Sequence, residues 1–125
     1  MSKPSQWAVV CVAIALGTAA FAQESSKSDS PKKIVTKTLV ASEAQKECLS
    51  LTNRQRLHYR FQSDGPINFK ISHEDGSEIV DVRRDRIESA DGSFASKKTA
   101  DHCLVWTNAG KQAVTLRYEF QRSAQ

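Results

Sequence analysis

Three stretches of this sequence alternate apolar and polar residues with a period of two. Leu57, Tyr59 and Phe61 are interleaved with His58, Arg60 and Gln62; Ile67, Phe69 and Ile71 with Asn68, Lys70 and Ser72; Val114, Leu116, Tyr118 and Phe120 with Thr115, Arg117 and Glu119. Successive side chains of a strand point to opposite faces, so the pattern specifies β-strands with one buried face and one solvated face. Asp64-Gly65-Pro66 separates the first two runs and reads as a tight turn, which makes them a β-hairpin. Ile34 to Val40, Cys48 to Leu51, Ile79 to Val82, Ser93 to Ala95 and His102 to Thr107 are shorter strand candidates. Glu74-Asp75-Gly76, Asp91-Gly92 and Asn108 to Lys111 read as further turns, while Ser42 to Glu47 fits a helical turn or a loop and Arg83 to Ala90 has no decided form. No amphipathic segment is long enough for a dominant helix. The expectation is an all-β domain over residues 34–122, a small antiparallel sandwich of about seven to eight strands, with a barrel as the related alternative.

The N-terminal segment reads as an address. Lys3 is followed by an apolar run from Trp7 to Phe21 without a charged residue, and Ala20-Phe21-Ala22 places small residues where a signal peptidase reads. A bacterial-type signal peptide over residues 1–22, cleaved after Ala22, follows, with a secreted or periplasmic product. The competing reading, an uncleaved anchor, needs roughly 20 apolar residues, and this run is shorter. Residues 23–33 are polar and read as a flexible leader. The whole chain has 125 residues, 39% hydrophobic and 26% charged, which excludes a multidomain enzyme, a transporter and a wholly disordered chain. The net charge of +4 falls to +3 with the loss of Lys3, far from a nucleic-acid-binding surplus. No stable membrane span is expected after cleavage.

Three cysteines become two once Cys11 leaves with the signal peptide. In an exported domain Cys48 and Cys103 are expected to form one disulfide, closing a loop of about 55 residues, for which chain entropy gives at most roughly 4 kcal/mol. The alternative, a redox pair or thiolate metal site, lacks any Cys-x-x-Cys spacing. Cys48 is out of phase with Leu49 and Leu51, and Cys103 with Leu104 and Trp106. If the larger side chains face the core, the bond joins neighbouring strands on the outer face of one sheet. The opposite phase, with Cys103 and Val105 inward, stays open.

The order of several segments resembles the GOLD (Golgi-dynamics) domain. The matching pieces are Glu47-Cys48-Leu49, Leu57 to Phe61 ahead of a turn, Ile67 to Ile71 with Gly76 behind it, Gly92-Ser93-Phe94, Cys103 to Asn108, and Val114 to Tyr118. The resemblance spans roughly residues 45–121. It implies a β-sandwich that binds protein or lipid and catalyses nothing, and it pairs Cys48 with Cys103. The cargo receptors of that family continue into a coiled coil, a membrane span and a sorting tail. This sequence stops at Gln125, so the expectation is a free-standing module with no trafficking role.

Candidate sites have plain competitors. His73 shares the phase of Ile67, Phe69 and Ile71 beside Glu74 and Asp75, and His102 shares the phase of Leu104 and Trp106. A ligand or metal site at His73, Asp75 and His102 is one reading; strand-end histidines that are solvated or hydrogen-bonded are the plainer one, since no metal-ligand spacing is present. His58 points away from the Tyr59 face. Arg83, Arg84 and Arg86, with Lys97 and Lys98, form an anion patch or a charged strand edge that resists edge-to-edge pairing. Tyr59, Phe61, Phe69, Trp106, Tyr118 and Phe120 are expected in the core, against the alternative of an exposed aromatic platform. No nucleophile elbow, zinc-protease motif or phosphate loop occurs, and neither an enzyme nor a cofactor is expected. The first functional reading is a non-enzymatic exported module that recognises a protein or envelope component through its strand edges. The rival is a periplasmic small-ligand or metal-binding protein using the His73 end of the sandwich.

Overall fold

The computed structural model describes residues 31–124. The expected signal peptide and residues 23–30 of the expected leader lie outside the described residues. Six antiparallel strands follow: β1 Lys33–Leu39, β2 Ala44–Leu51, β3 Gln55–Glu74, β4 Glu78–Ala95, β5 Ala100–Asn108 and β6 Val114–Ala124. The strands among the described residues run from Lys33 to Ala124. Among the described residues no helix is long and apolar enough to cross a membrane. Ser42 to Glu47 resolves into a turn, with Ser42 at φ 68°, running into β2 from Ala44.

The pairing order is β1-β6-β3-β5-β2, with β4 along the other side of β3. The first half of β3, Gln55 to Ser63, pairs with β6; the second half, Ile67 to His73, pairs with β5. β4 follows β3 through both halves. Twenty extended residues would span about 66 Å, and Tyr59 and Phe69 would lie about 33 Å apart. Their ring centroids are 5.0 Å apart, so β3 is folded nearly in half and its two halves face each other. β5 and β6 lie in opposite layers, and Trp106 of one stacks on Tyr118 of the other at 4.0 Å. Six strands thus do the work of the seven or eight expected, because β3 and β4 each serve both layers of the curled sheet.

This geometry corrects the expected hairpin. The two alternating runs of β3 do not hydrogen-bond to one another; they lie face to face across the core. Asp64-Gly65-Pro66 is the corner. Gly65 sits in the inward phase, where a Cβ would meet Val114 Cγ1 at 2.4 Å, so the glycine allows close approach and not a reverse turn. Around it Asp64 Oδ1 accepts the Thr115 N–H at 2.8 Å and the Pro66 carbonyl accepts the Ala109 N–H at 3.0 Å. These bonds satisfy backbone groups where β3 changes partner. On β4 the corner is made by Arg86 at φ 52°, whose N–H donates to Asn68 Oδ1 at 2.8 Å. The undecided Arg83 to Ala90 segment is therefore continuous strand with an irregular step. Asp91-Gly92 is no turn either: it lies inside β4, and a Cβ on Gly92 would meet Tyr59 Oη at 2.7 Å.

The inward face of β3 keeps odd-numbered residues from Leu57 to His73 through the bend, and the core follows from it. Leu57, Tyr59, Phe61, Ile67, Phe69 and Ile71 are buried together with Leu39, Leu51, Leu104, Trp106, Val114, Leu116, Tyr118 and Phe120. All six aromatic residues expected in the core are there. Cys48 and Cys103 lie directly opposite each other on β2 and β5, bonded, with Cα atoms 4.0 Å apart. Their phase is opposite to buried Leu51, Leu104 and Trp106, so the bond lies on the outer face of one sheet.

Candidate functional site

The inward phase does not end with the aromatic core. One step beyond Ile71 on β3 stands His73, and one step before Leu104 on β5 stands His102; the two residues are partners in the ladder. Both are buried, at 9% and 1% exposure, with rings 4.9 Å apart. Polar groups taken out of water need partners, and each imidazole has one. His102 Nδ1 lies 3.0 Å from the Ala100 carbonyl oxygen. A carbonyl only accepts, so Nδ1 carries a proton, and in the neutral ring Nε2 presents its lone pair. His73 Nδ1 lies 2.7 Å from Asp81 Oδ2, and the carboxylate accepts that N–H. The same Oδ2 is 3.9 Å from His102 Nε2.

Asp81 arrives through a defect in the β3–β4 ladder. Ile71 pairs with Val82 and Ser72 with Val80, which leaves Asp81 as the extra residue of a β-bulge. A bulge breaks the strict alternation and re-aims side chains. Here Val82 packs against the core while its neighbour Asp81 turns to the two histidines, its side chain 18% exposed. His73, Asp81, His102, Phe94, Lys97 and Lys98 line a cleft of about 150 Å³. The Phe94 ring packs against His102 at 5.5 Å. Three strands, β3, β4 and β5, thus contribute one group each, and the disulfide at Cys103 anchors β5 immediately beside His102.

Of the residues singled out in the sequence, the structure brings His73 and His102 together and replaces Asp75 by Asp81. Asp75 is on the β3–β4 turn, paired with Lys98, whose ammonium lowers the carboxyl's pKa chiefly by a hydrogen bond. It belongs to the rim, one ion pair away from the histidines. Asp81 was missed because its direction depends on the register of β4 against β3. The available signal was a carboxylate inside the otherwise apolar Ile79-Val80-Asp81-Val82. His58 is exposed, with Nε2 3.1 Å from Ser123 Oγ. The three arginines do not make one patch with Lys97 and Lys98. Arg83 pairs with Asp85 at 3.3 Å, Arg84 is exposed opposite Phe69, and Arg86 donates Nη1 to the Ala109 carbonyl at 2.9 Å. Arg86 is a corner residue, whereas Lys97 and Lys98 belong to the histidine cleft at another place on the molecule.

A second polar group lies within the core. Tyr118 Oη donates to Glu47 Oε2 at 2.5 Å and accepts from Gln45 Nε2 at 2.8 Å, linking β6 to β2. Burial, reinforced by the hydrogen bond to Glu47, pushes the phenol up to about 12.

No family model matches the sequence, and no curated protein does. Among solved structures, the chain is similar to the solution NMR structure of a de novo designed double-stranded beta-helix. That match has a TM-score of 0.43 and 16% identity, and covers 70% of this chain and 97% of the designed one. A similarity of this level says nothing about function.

Proposed function

We propose that this chain is an exported, non-enzymatic binding module and that the His73–Asp81–His102 cleft is where it takes up its ligand. One observation carries the reading: two buried imidazoles from adjacent strands converge on a single carboxylate that lines a cleft. A histidine pair placed only to fill a core has no need of a bulged strand to deliver a charged partner. Export is supported by the apolar N-terminal run with its Ala20-Phe21-Ala22 ending and by the Cys48–Cys103 bond, a linkage that persists in oxidising compartments. The GOLD resemblance favours binding over catalysis. Recognition of a protein or envelope component through the edges of β1, β2 or β4, the first reading of the sequence, yields to the cleft because the cleft holds convergent polar groups.

The test is the native, non-reduced mass of the protein isolated from its exported fraction, for the wild type and for Asp81→Asn. The expected wild-type mass is that of residues 23–125 less two hydrogens, plus an adduct that leaves on denaturation and is missing from D81N. A bare polypeptide mass in both proteins overturns the reading.

A further inference from the structure

We infer that the cleft binds a divalent transition-metal ion of the Zn²⁺ or Cu²⁺ class, held by His73, Asp81 and His102. The inference rests on the cleft reading and names its ligand. The donor set is two imidazole nitrogens and one carboxylate oxygen, which suits borderline cations; Mg²⁺ and Ca²⁺ take oxygen ligands. One ligand atom from each residue lies within 4.8 Å of the others. In a tetrahedral site with bonds near 2.1 Å, ligand atoms are about 3.4 Å apart. The observed separations from Asp81 Oδ2, 2.7 Å to His73 Nδ1 and 3.9 Å to His102 Nε2, bracket that value, and binding moves the Nδ1 proton of His73 to its Nε2 or to solvent. The third separation, between the two imidazole nitrogens, is at most 4.8 Å, so binding an ion requires the three side chains to draw together.

The electrostatics of His102 point the same way. With the Nδ1 proton committed to the Ala100 carbonyl, the Nε2 of the neutral ring lies 3.9 Å from a carboxylate oxygen, acceptor beside acceptor. A metal cation between the two atoms relieves such a pair, as does a proton on Nε2. A backbone carbonyl on the far nitrogen is also the contact that fixes tautomer and ring orientation in metal-ligating histidines. The charges on the rim are Lys97 and Lys98, and Lys98 is bound to Asp75. Asp81 offsets one charge of the ion, and three protein ligands leave a fourth position for water or a small anion. Three protein ligands and an open position describe an exchangeable site, not a closed structural one.

Isothermal titration of the mature, disulfide-bonded protein with ZnCl₂ and with CuCl₂ tests this. The expected result is one site per chain for at least one of the two ions. Affinity should fall at least about 10-fold in Asp81→Asn and in His73→Asn, and stay unchanged in His58→Ala. Cobalt(II) should give the visible absorption of a four-coordinate ion, lost in the same two variants. His102 is buried deeply enough that His102→Ala risks misfolding, so D81N and H73N carry the test, with circular dichroism to show that both are folded. No heat above buffer with either ion overturns the inference, as does undiminished affinity in D81N and H73N. A native adduct of organic mass without metal heat overturns the metal and leaves the cleft reading standing; no adduct and no heat overturn both.

Discussion

At Gly65 the backbone of β3 turns its corner against Val114, and a single methyl group decides whether it can. A Cβ there would meet Val114 Cγ1 at 2.4 Å, inside any tolerable contact, and Val114 is itself 5% exposed with little room to retreat. Overpacking of this kind costs about 1–3 kcal/mol. Gly65→Ala should lower the unfolding free energy by that amount in urea melts. Adding Val114→Ala should recover part of the loss, so that the double variant loses less than the two singles together. Tyr118 gives a second test at this scale. Its folded pKa is raised to about 12 from the ordinary 10.0, so the unfolded chain ionises first. The stability it contributes is full below pH 10 and is lost as pH rises from 10 toward 12. The melting temperature of wild type should therefore fall more steeply over that interval than that of Tyr118→Phe; parallel curves would refute the shift.

At the scale of elements, the staple between β2 and β5 carries the largest single prediction. β2 is an edge strand, held along one side by β5 and covalently by Cys48–Cys103, which closes a separation of 55 residues. Replacing both cysteines by serine should cost about 2–4 kcal/mol. Hydrogen exchange should rise first at the amides of β2 and the β2-facing half of β5; uniform acceleration across all strands would mean that the bond acts on the unfolded chain alone. The outward phase of this bond was legible in the sequence, and so was the aromatic core, because the face a strand residue occupies follows from its immediate neighbours. Partnership was not legible. Asp64-Gly65-Pro66 has the chemistry of a reverse turn, and Gly92 follows an aspartate as a turn glycine does, yet both glycines serve close approach, to Val114 and to Tyr59. Whether a chain reverses within one sheet or folds over into a second is set by what packs inside the bend. For the same reason His73 and His102 could be given a common face but not a shared ladder position. Asp81 could not be placed at all, since a bulge exists only relative to a partner strand.

For the whole molecule, the cleft is the point where β3, β4 and β5 converge, so occupancy should be felt globally. An ion that binds only the folded chain adds stability by mass action, about 2.7 kcal/mol when its free concentration is 100 times Kd. For a domain of this size each kcal/mol moves the melting temperature by roughly 4–8 °C. Saturating Zn²⁺ or Cu²⁺ should thus raise the midpoint by about 10–20 °C, and a chelator should return it to the metal-free value. At the same free ion concentration Asp81→Asn should cut the rise to about half or less, while starting from a midpoint near that of the metal-free wild type, because its side chain is partly exposed and the amide oxygen still accepts from His73. The disulfide and the ion act differently: the bond restricts the unfolded chain and ties down the β2 edge, while the ion stabilises the folded state at the cleft. Their effects should therefore add, and the cysteine-free protein should show nearly the same metal-induced rise in unfolding free energy from a lower starting point. A rise that vanishes with the disulfide would mean that the Cys103 anchor is what holds His102 in place to meet the ion.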